Sequence, residues 1–241
     1  MRVAHDVPLA PLTTLGVGGP ARTLVEVDDP ADLGEALAAD GPVLVLAGGS
    51  NVVLPDAGFA GTVVHLATRG VERTAGPDGR VRVVAQAGEE WEPLVAACVA
   101  GGLVGVECLS GIPGSVGATP IQNVGAYGQE VAETVAWVRV HDRADATTRT
   151  LSPAECRFAY RRSALKGQDR LIVEAVAFDL EPGETGAPVA YAELARTLGV
   201  AVGDRAPLAE VREAVLGLRR SKGMVLDPGD PDTASAGSFF T

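Results

Sequence analysis

Two clusters of glycine interleaved with small polar residues hold most of the chemistry this sequence can offer. The first, Gly48-Gly49-Ser50-Asn51, follows the unbroken apolar run 43–47, so it leaves the end of a buried strand. Glycines there let the main chain approach a ligand closely and expose consecutive N–H groups, while Ser50 and Asn51 can bond phosphate or sugar oxygens. An ordinary turn would need no more than these four residues. The second cluster runs from Ser110 to Gly128 and places five glycines and two prolines within nineteen residues. Proline fixes φ and glycine frees it. The segment therefore builds a rigid, irregular wall of backbone donors and acceptors, able to grip a pyrophosphate and a flat heteroaromatic ring. A stretch this long is seldom a plain connection, and Ile112, Val116, Ile121 and Val124 give it apolar content that favours order.

Both clusters need a sheet behind them. Residues 22–27 read as a strand, Asp29-Pro30 opens a helix with Leu33, Ala36 and Leu37 at helical spacing, and Gly41-Pro42 ends it before the strand 43–47. A strand–helix–strand unit of this size implies helix-covered sheet, the α/β or α+β pattern. Further strands are expected at 62–66, 81–85, 135–141 and 171–180, with a helix over 91–100. A linker by composition, Glu181 to Gly186, precedes helices over 191–198 and 207–222. Pro207 falls near the first turn of the latter, and Leu208, Val211, Val215 and Leu218 share one of its faces. The division expected is 1–62, 63–182 and 183–241.

Composition excludes several classes. The 241 residues carry 20 basic and 31 acidic side chains, a net charge of −11 that repels nucleic acid. No apolar run approaches the roughly 18 residues of a membrane span, and the N-terminus lacks the basic-then-apolar layout of a secretory signal. A cytoplasmic monomer is expected. Cys98, Cys108 and Cys156 are odd in number and lack metal-ligand spacing, so they read as buried apolar residues, with neither disulfide nor metal expected. His5, His65 and His141 are scattered without a partner motif. Gly16-Val17-Gly18-Gly19-Pro20-Ala21 satisfies a dinucleotide-binding pattern by letter, but a strand follows where a helix must. Neither a phosphate-binding G-x-x-x-x-G-K-[ST] nor a nucleophile elbow G-x-S-x-G occurs.

Five motifs then come in order: Gly48 to Asn51, Gly111 to Gly117, Gln122 to Gly128, Tyr160-Arg161-Arg162-Ser163, and Ala236-Gly237-Ser238-Phe239-Phe240. Spanning nearly the whole chain, the set resembles the UDP-N-acetylenolpyruvoylglucosamine reductase (MurB) family. The resemblance implies an α+β fold, with a two-lobed FAD-binding domain of the vanillyl-alcohol-oxidase/PCMH type followed by a partial α+β substrate-binding lobe. It implies a reaction of peptidoglycan precursor synthesis, in which NADPH reduces FAD and reduced FAD gives hydride to the enolpyruvyl ether of a UDP-sugar. The cofactor contacts it implies are Gly48, Gly49, Ser50, Asn51, Ser110, Gly111, Ile112, Pro113, Gly114, Ser115, Gly117, Ala118, Gln122, Asn123, Gly125, Ala126 and Tyr127. FAD is expected to be non-covalent, because no histidine or cysteine lies within these motifs.

Hydride added to the terminal carbon of an enol ether conjugated to a carboxylate leaves an enolate. A cation beside the carboxylate and a proton donor for the α-carbon are then required. The resemblance makes Arg161 the cation, whose planar guanidinium can hold a carboxylate bidentately. It makes Ser238 the donor, with Gly237 allowing close approach and Phe239 and Phe240 excluding water. Arg162 is expected in a structural ion pair. Tyr191 and Lys222, with Arg219 as a lesser candidate, match substrate-binding positions. Only two lysines, Lys166 and Lys222, stand beside eighteen arginines, which suits a needed ammonium for the UDP phosphates. A lysine at a helix C-terminus is also favourable without a ligand, and Tyr191 could serve the core. Family members continue past the Gly-Ser-Phe-Phe motif to an asparagine and a glutamate that act on the substrate, so a fragment is expected. The alternatives are a flavin- or nucleotide-binding module without turnover and a related flavin-dependent alcohol oxidase.

Overall fold

The computed structural model describes residues 1–235, which form two sheets and a helical segment. The first sheet contains β1 (Arg2–Pro8), β2 (Pro20–Val27), β3 (Val43–Leu46) and β4 (Phe59–Leu66), in the order β1-β2-β4-β3. β1 is antiparallel to β2, whereas β2 and β3 both run parallel to β4. Parallel strands require a crossover, and α1 (Leu33–Leu37) lies on the one between β2 and β3. Both faces of this sheet are covered. Val25, Val27, Val64 and Leu66 join the main core, while Leu24, Leu46 and Val63 join a smaller one with Leu9 and Leu54. Burial on two faces is why 43–47 reads as an apolar run and not as an alternation.

Next along the chain come β5 (Val71–Ala75), β6 (Val81–Gln86), α2 (Trp91–Ala100) and β7 (Leu103–Val104). The hairpin β8 (Gly125–Ala126) and β9 (Gln129–Glu130) closes the glycine-rich wall. β10 (Val135–Asp142), β11 (Thr147–Leu151), α3 (Pro153–Cys156) and β12 (Leu171–Pro182) follow. The second sheet is antiparallel in the order β11-β10-β12-β6-β5, with β7 pairing the end of β12. Trp91 anchors α2: its indole N–H donates to the Leu109 carbonyl (3.2 Å) and its ring meets Phe178 at 5.6 Å. One apolar cluster runs from β2 and β4 through α2 to β6, β10 and β12, so both sheets share a core. The last helices, α4 (Ala192–Leu198) and α5 (Leu208–Arg220), pack around Leu194, Val211 and Val215, together with Cys108 just before the wall.

The strands and helices expected from patterning are present, with adjusted ends. β1, β5 and β11 escape the pattern because they are edge strands, mostly exposed, with no buried face to impose alternation. The junction expected after residue 62 falls inside β4. His65 and Leu66 pair with Glu26 and Val27, so residues 63–66 stay with the first sheet. Pro207 is the residue before α5, and Lys222 lies beyond its Ser221 cap instead of closing the helix. Among the described residues no helix is long and apolar enough to cross a membrane.

Candidate active site

The Gly48–Asn51 turn meets the glycine-rich wall backbone to backbone in the cleft between the sheets. A side chain at Gly48 would place its Cβ 2.7 Å from the Gly114 Cα. Gly49, at φ +55°, lies against the Leu12 carbonyl, and a Cβ at Gly117 would come within 2.5 Å of that of Ala87. Close chain packing therefore already requires glycine at these positions. The segment before β2 braces the turn. Thr14 N–H donates to the Gly49 carbonyl (3.1 Å), while Thr13 Oγ1 donates to the Val17 carbonyl (2.9 Å) and accepts from its N–H (3.2 Å). Sequence reasoning passed over this brace; the paired threonines just ahead of Gly16-Val17-Gly18-Gly19 are the signal that marks it.

Three hollows open around the junction. One of about 530 Å³ is bordered by Thr13, Thr14, Gly48, His65, Arg69, Glu90, Glu92 and the wall from Gly111 to Ser115. A second, about 460 Å³, lies between β3 with its turn and the 165–173 segment, taking in Gly48 to Asn51, Gly117, Ala118 and Gln122. The smallest, about 130 Å³, joins Ser50, Asn51, Ile112, Pro113, Ser115, Ala118, Gln122 and Gly125 to Arg161 and Arg219. Every expected cofactor contact except Ser110, Asn123, Ala126 and Tyr127 lines one of these hollows.

Those four meet other residues of the chain. Ser110 is fully buried and donates to the Glu107 carbonyl (2.6 Å). Asn123, 1% exposed, donates through Nδ2 to Glu130 (2.6 Å) and to the Ala159 carbonyl (3.1 Å), and its Oδ1 accepts from Ala132 N–H (3.0 Å). Ala126 packs against the core. Tyr127 meets Tyr191 edge-on at 5.6 Å, and the Lys222 ammonium sits 5.8 Å from its ring centre. Tyr127 thus joins the expected substrate positions. Lys222 also binds Glu193 (2.8 Å), which raises its pKa, and burial raises that of Tyr127.

The charged groups converge from other elements. Arg161, itself at φ +51°, donates through Nη2 to the Gly125 carbonyl (2.7 Å) and lies 5.7 Å from the Tyr160 ring centre. Arg219 is buried; its Nη2 donates to the Met224 carbonyl (2.9 Å), and burial lowers its pKa from the ordinary guanidinium value. Glu92, in the first turn of α2, accepts from Gly111 N–H and from the Arg212 guanidinium, tying α2, the wall and α5 together. In the sequence Glu92 looks like an ordinary acid at a helix start. His65 reaches the largest hollow from β4, and burial pushes its pKa down despite Glu26 at 3.5 Å. The ion pair expected of Arg162 does not form among the described residues. Ser238, with Gly237, Phe239 and Phe240, lies outside the described residues.

Residues 22–152 match the FAD binding domain family. The UDP-N-acetylenolpyruvoylglucosamine reductase of Thermobifida fusca is 57% identical over 242 residues, covering 99% of this chain and 68% of that protein. The same-named protein of Streptomyces avermitilis is 54% identical, covering 98% and 65%. The crystal structure of UDP-N-acetylenolpyruvylglucosamine reductase (MurB) from Thermus caldophilus superposes with a TM-score of 0.71 at 30% identity, covering 98% of this chain and 73% of that one. The chain belongs to this reductase family. It spans about two thirds of the length of these two relatives.

Membership of the reductase family makes the chain a flavoprotein oxidoreductase of α+β fold with FAD as cofactor, and the cleft can be tested for fit. The Ser115 hydroxyl is 4% exposed, has no partner among the described residues, and borders both the largest and the smallest hollow. Leaving such a group unpaired costs about 1–3 kcal/mol, so it suits a ligand's polar atom. Arg219 Nε is buried in the same smallest hollow and has no partner among the described residues. The N–H groups of Gly49, Ser50 and Asn51 find no acceptor among the described residues, beside two hydrophilic side chains. Donors at the turn and an apolar wall of Ile112 and Pro113 fit a diphosphate joined to a flat ring.

Proposed function

We propose that the chain reduces UDP-N-acetylglucosamine enolpyruvate to UDP-N-acetylmuramate with NADPH, a cytoplasmic step of peptidoglycan precursor synthesis. The observation that carries this reading is the meeting of Arg161 and Arg219 with Ser50, Asn51 and Gln122 in one small hollow beside the flavin cleft. Bound FAD would supply the chemistry of hydride exchange, taking hydride from the nicotinamide and delivering it to the terminal carbon of the enol ether. Arg161 holds the substrate carboxylate and stabilises the charge that grows there. Its left-handed backbone and its bond to the Gly125 carbonyl set the direction of the guanidinium before substrate arrives. Tyr127, Tyr191 and Lys222, grouped at the base of α4, suit the UDP portion. Ser238 gives the α-carbon its proton.

Rapid mixing separates the two half-reactions. Ser238→Ala should leave bleaching of the flavin by NADPH intact and slow its recovery with the enolpyruvyl sugar by about 10²–10⁴-fold. Arg161→Ala should act on the same half-reaction by about 10²–10³-fold. Equal slowing of both half-reactions would sink the proton-donor role, and rapid reoxidation by air without the sugar would favour an alcohol oxidase.

A further inference from the structure

We propose that Glu107 is a positioning residue for the sugar half-reaction: its buried carboxylate clasps the chain leading into α4 and so fixes Tyr191 against Tyr127. The inference rests on the reductase reading for the nature of that substrate. Among the described residues two acids are buried, Asp142 and Glu107. Asp142 pairs with the guanidinium groups of Arg149 and Arg170. Glu107 is fully enclosed, and no basic side chain pairs with it among the described residues. Burying a charge without a counter-charge is costly unless hydrogen bonds compensate. The groups bonded to its two oxygens therefore explain why an acid stands here.

Those groups are two main-chain donors from different parts of the fold. Oε2 accepts from the Gly105 N–H (2.7 Å), and Oε1 accepts from the Ala187 N–H (2.7 Å), 80 residues further along the chain. Gly186 lets the chain come this close: a Cβ there would stand 3.1 Å from Oε1 and 3.2 Å from Val211 Cγ2. From Ala187 the chain runs through buried Val189 to Tyr191, the residue that opens α4. The stretch otherwise bonds to residues just before α5. Gly186 N–H donates to the Ala206 carbonyl (2.9 Å), Val189 N–H to the Asp204 carbonyl (2.8 Å), and Arg205 to the Gly186 carbonyl (2.9 Å). It is thereby built into the α4–α5 segment, and Glu107 ties that segment to the turn before the wall.

The same turn sets the other half of the tyrosine pair. Cys108 N–H donates to the Gln129 side-chain carbonyl (2.9 Å), which steadies the β8–β9 hairpin that carries Tyr127. A Cβ at Gly128 would lie 2.8 Å from that of Ala190, so the hairpin and the chain into α4 meet without a gap. Glu107 and Cys108, adjacent in sequence, thus hold the supports of Tyr191 and Tyr127, whose rings meet edge-on at 5.6 Å. An amide cannot replace the carboxylate. Glu107→Gln keeps the volume but turns an N–H₂ group toward one of the two main-chain donors, and a buried donor left without an acceptor is expensive.

The test uses the flavin-loaded protein and Glu107→Gln, with Gly186→Ala as a second variant that crowds the clasp and leaves the carboxylate in place. Amide exchange followed by NMR reads the clasp without turnover. The Ala187 N–H should exchange slowly in the wild type, and Glu107→Gln should speed it about tenfold while the β10 amides keep their rates. In turnover, Glu107→Gln should raise KM for the enolpyruvyl sugar about tenfold and leave kcat within about twofold, with flavin bleaching by NADPH unchanged. Gly186→Ala should move exchange and KM the same way by about threefold, and it carries the test if Glu107→Gln does not retain flavin. Combined with Tyr191→Ala, which removes the group being positioned, Glu107→Gln should add little further rise in KM. Unchanged exchange at Ala187, equal slowing of both half-reactions, or full additivity with Tyr191→Ala would each overturn the positioning role. Wild-type flavin that NADPH bleaches but the sugar fails to restore would overturn the reductase reading instead, and amide exchange would still decide whether Glu107 holds the chain into α4.

Discussion

The two glycine clusters look alike in the sequence and are built on different principles. The Gly48–Asn51 turn has little bonding of its own: the Gly49 carbonyl accepts from Thr14, and the shape otherwise comes from packing on Leu12 and Gly114. The wall is cross-braced. Val116 and Gly117 N–H donate to the Glu89 and Ala87 carbonyls, Glu92 holds Gly111, and Asn123 makes three side-chain bonds. The turn therefore presents donors and side chains outward, whereas the wall binds several of its polar side chains inward and offers mainly backbone and apolar edges. Glycine density announces close approach. Whether a ligand or another stretch of chain makes that approach depends on who satisfies the neighbouring polar groups.

The largest effect should come from the turn. Gly49→Val meets the Leu12 carbonyl at a φ of +55°, and a cost of about 3 kcal/mol or more is expected from strain and overpacking together. The variant should purify without flavin and with a lowered Tm; full flavin content at unchanged Tm would break the idea that packing shapes the turn. In the wall, Asn123→Ala strands partners at Glu130, Ala132 and Ala159 and should cost about 2–3 kcal/mol. Because Ala159 precedes Tyr160-Arg161, sugar-dependent flavin reoxidation should slow as well. A shifted flavin spectrum at unchanged stability would mean that Asn123 touches the cofactor after all.

A smaller effect separates brace from contact at the rim. Glu92→Ala should weaken flavin retention about tenfold, with Glu92→Gln in between, because the amide keeps an acceptor for Gly111 but loses the charge facing Arg212. Combining Glu92→Ala with Arg212→Ala should give less than the summed losses, and strict additivity in denaturant melts would show that the two act separately.

The smallest effect belongs to the buried thiols of α2 and of the turn before the wall, where burial pushes Cys98 from 9.0 to about 11 and Cys108 to about 12. A thiol whose folded pKa is raised contributes stability that is complete below the unfolded value of 9.0 and is lost as pH climbs through 11 to 12. Thermal melts should therefore decline in that alkaline window, and less steeply in Cys108→Ala. A flat profile from pH 9 to 11 would place these thiols in contact with water.

Much of the fold was legible because its signals are local. The apolar run 43–47, the helical spacing of Leu208, Val211 and Val215, and the turn-rich breaks between them follow from burial acting over a few residues. The order of the motifs gave the family and the cofactor. The edge strands β1, β5 and β11 were hidden, since main-chain pairing with the neighbouring strand holds them and their mostly exposed side chains leave no alternation to read. The same limit governed the site. Asn123 and Tyr127 are polar residues in a ligand-binding motif, and only a hydrogen bond to the Ala159 carbonyl and ring contacts turn the first inward and send the second to Tyr191 and Lys222. Glu92 and His65 reached the cleft through placements set by chain segments far away in sequence. Residue type and spacing determine which groups can do chemistry; long-range packing decides which partner each group finally meets.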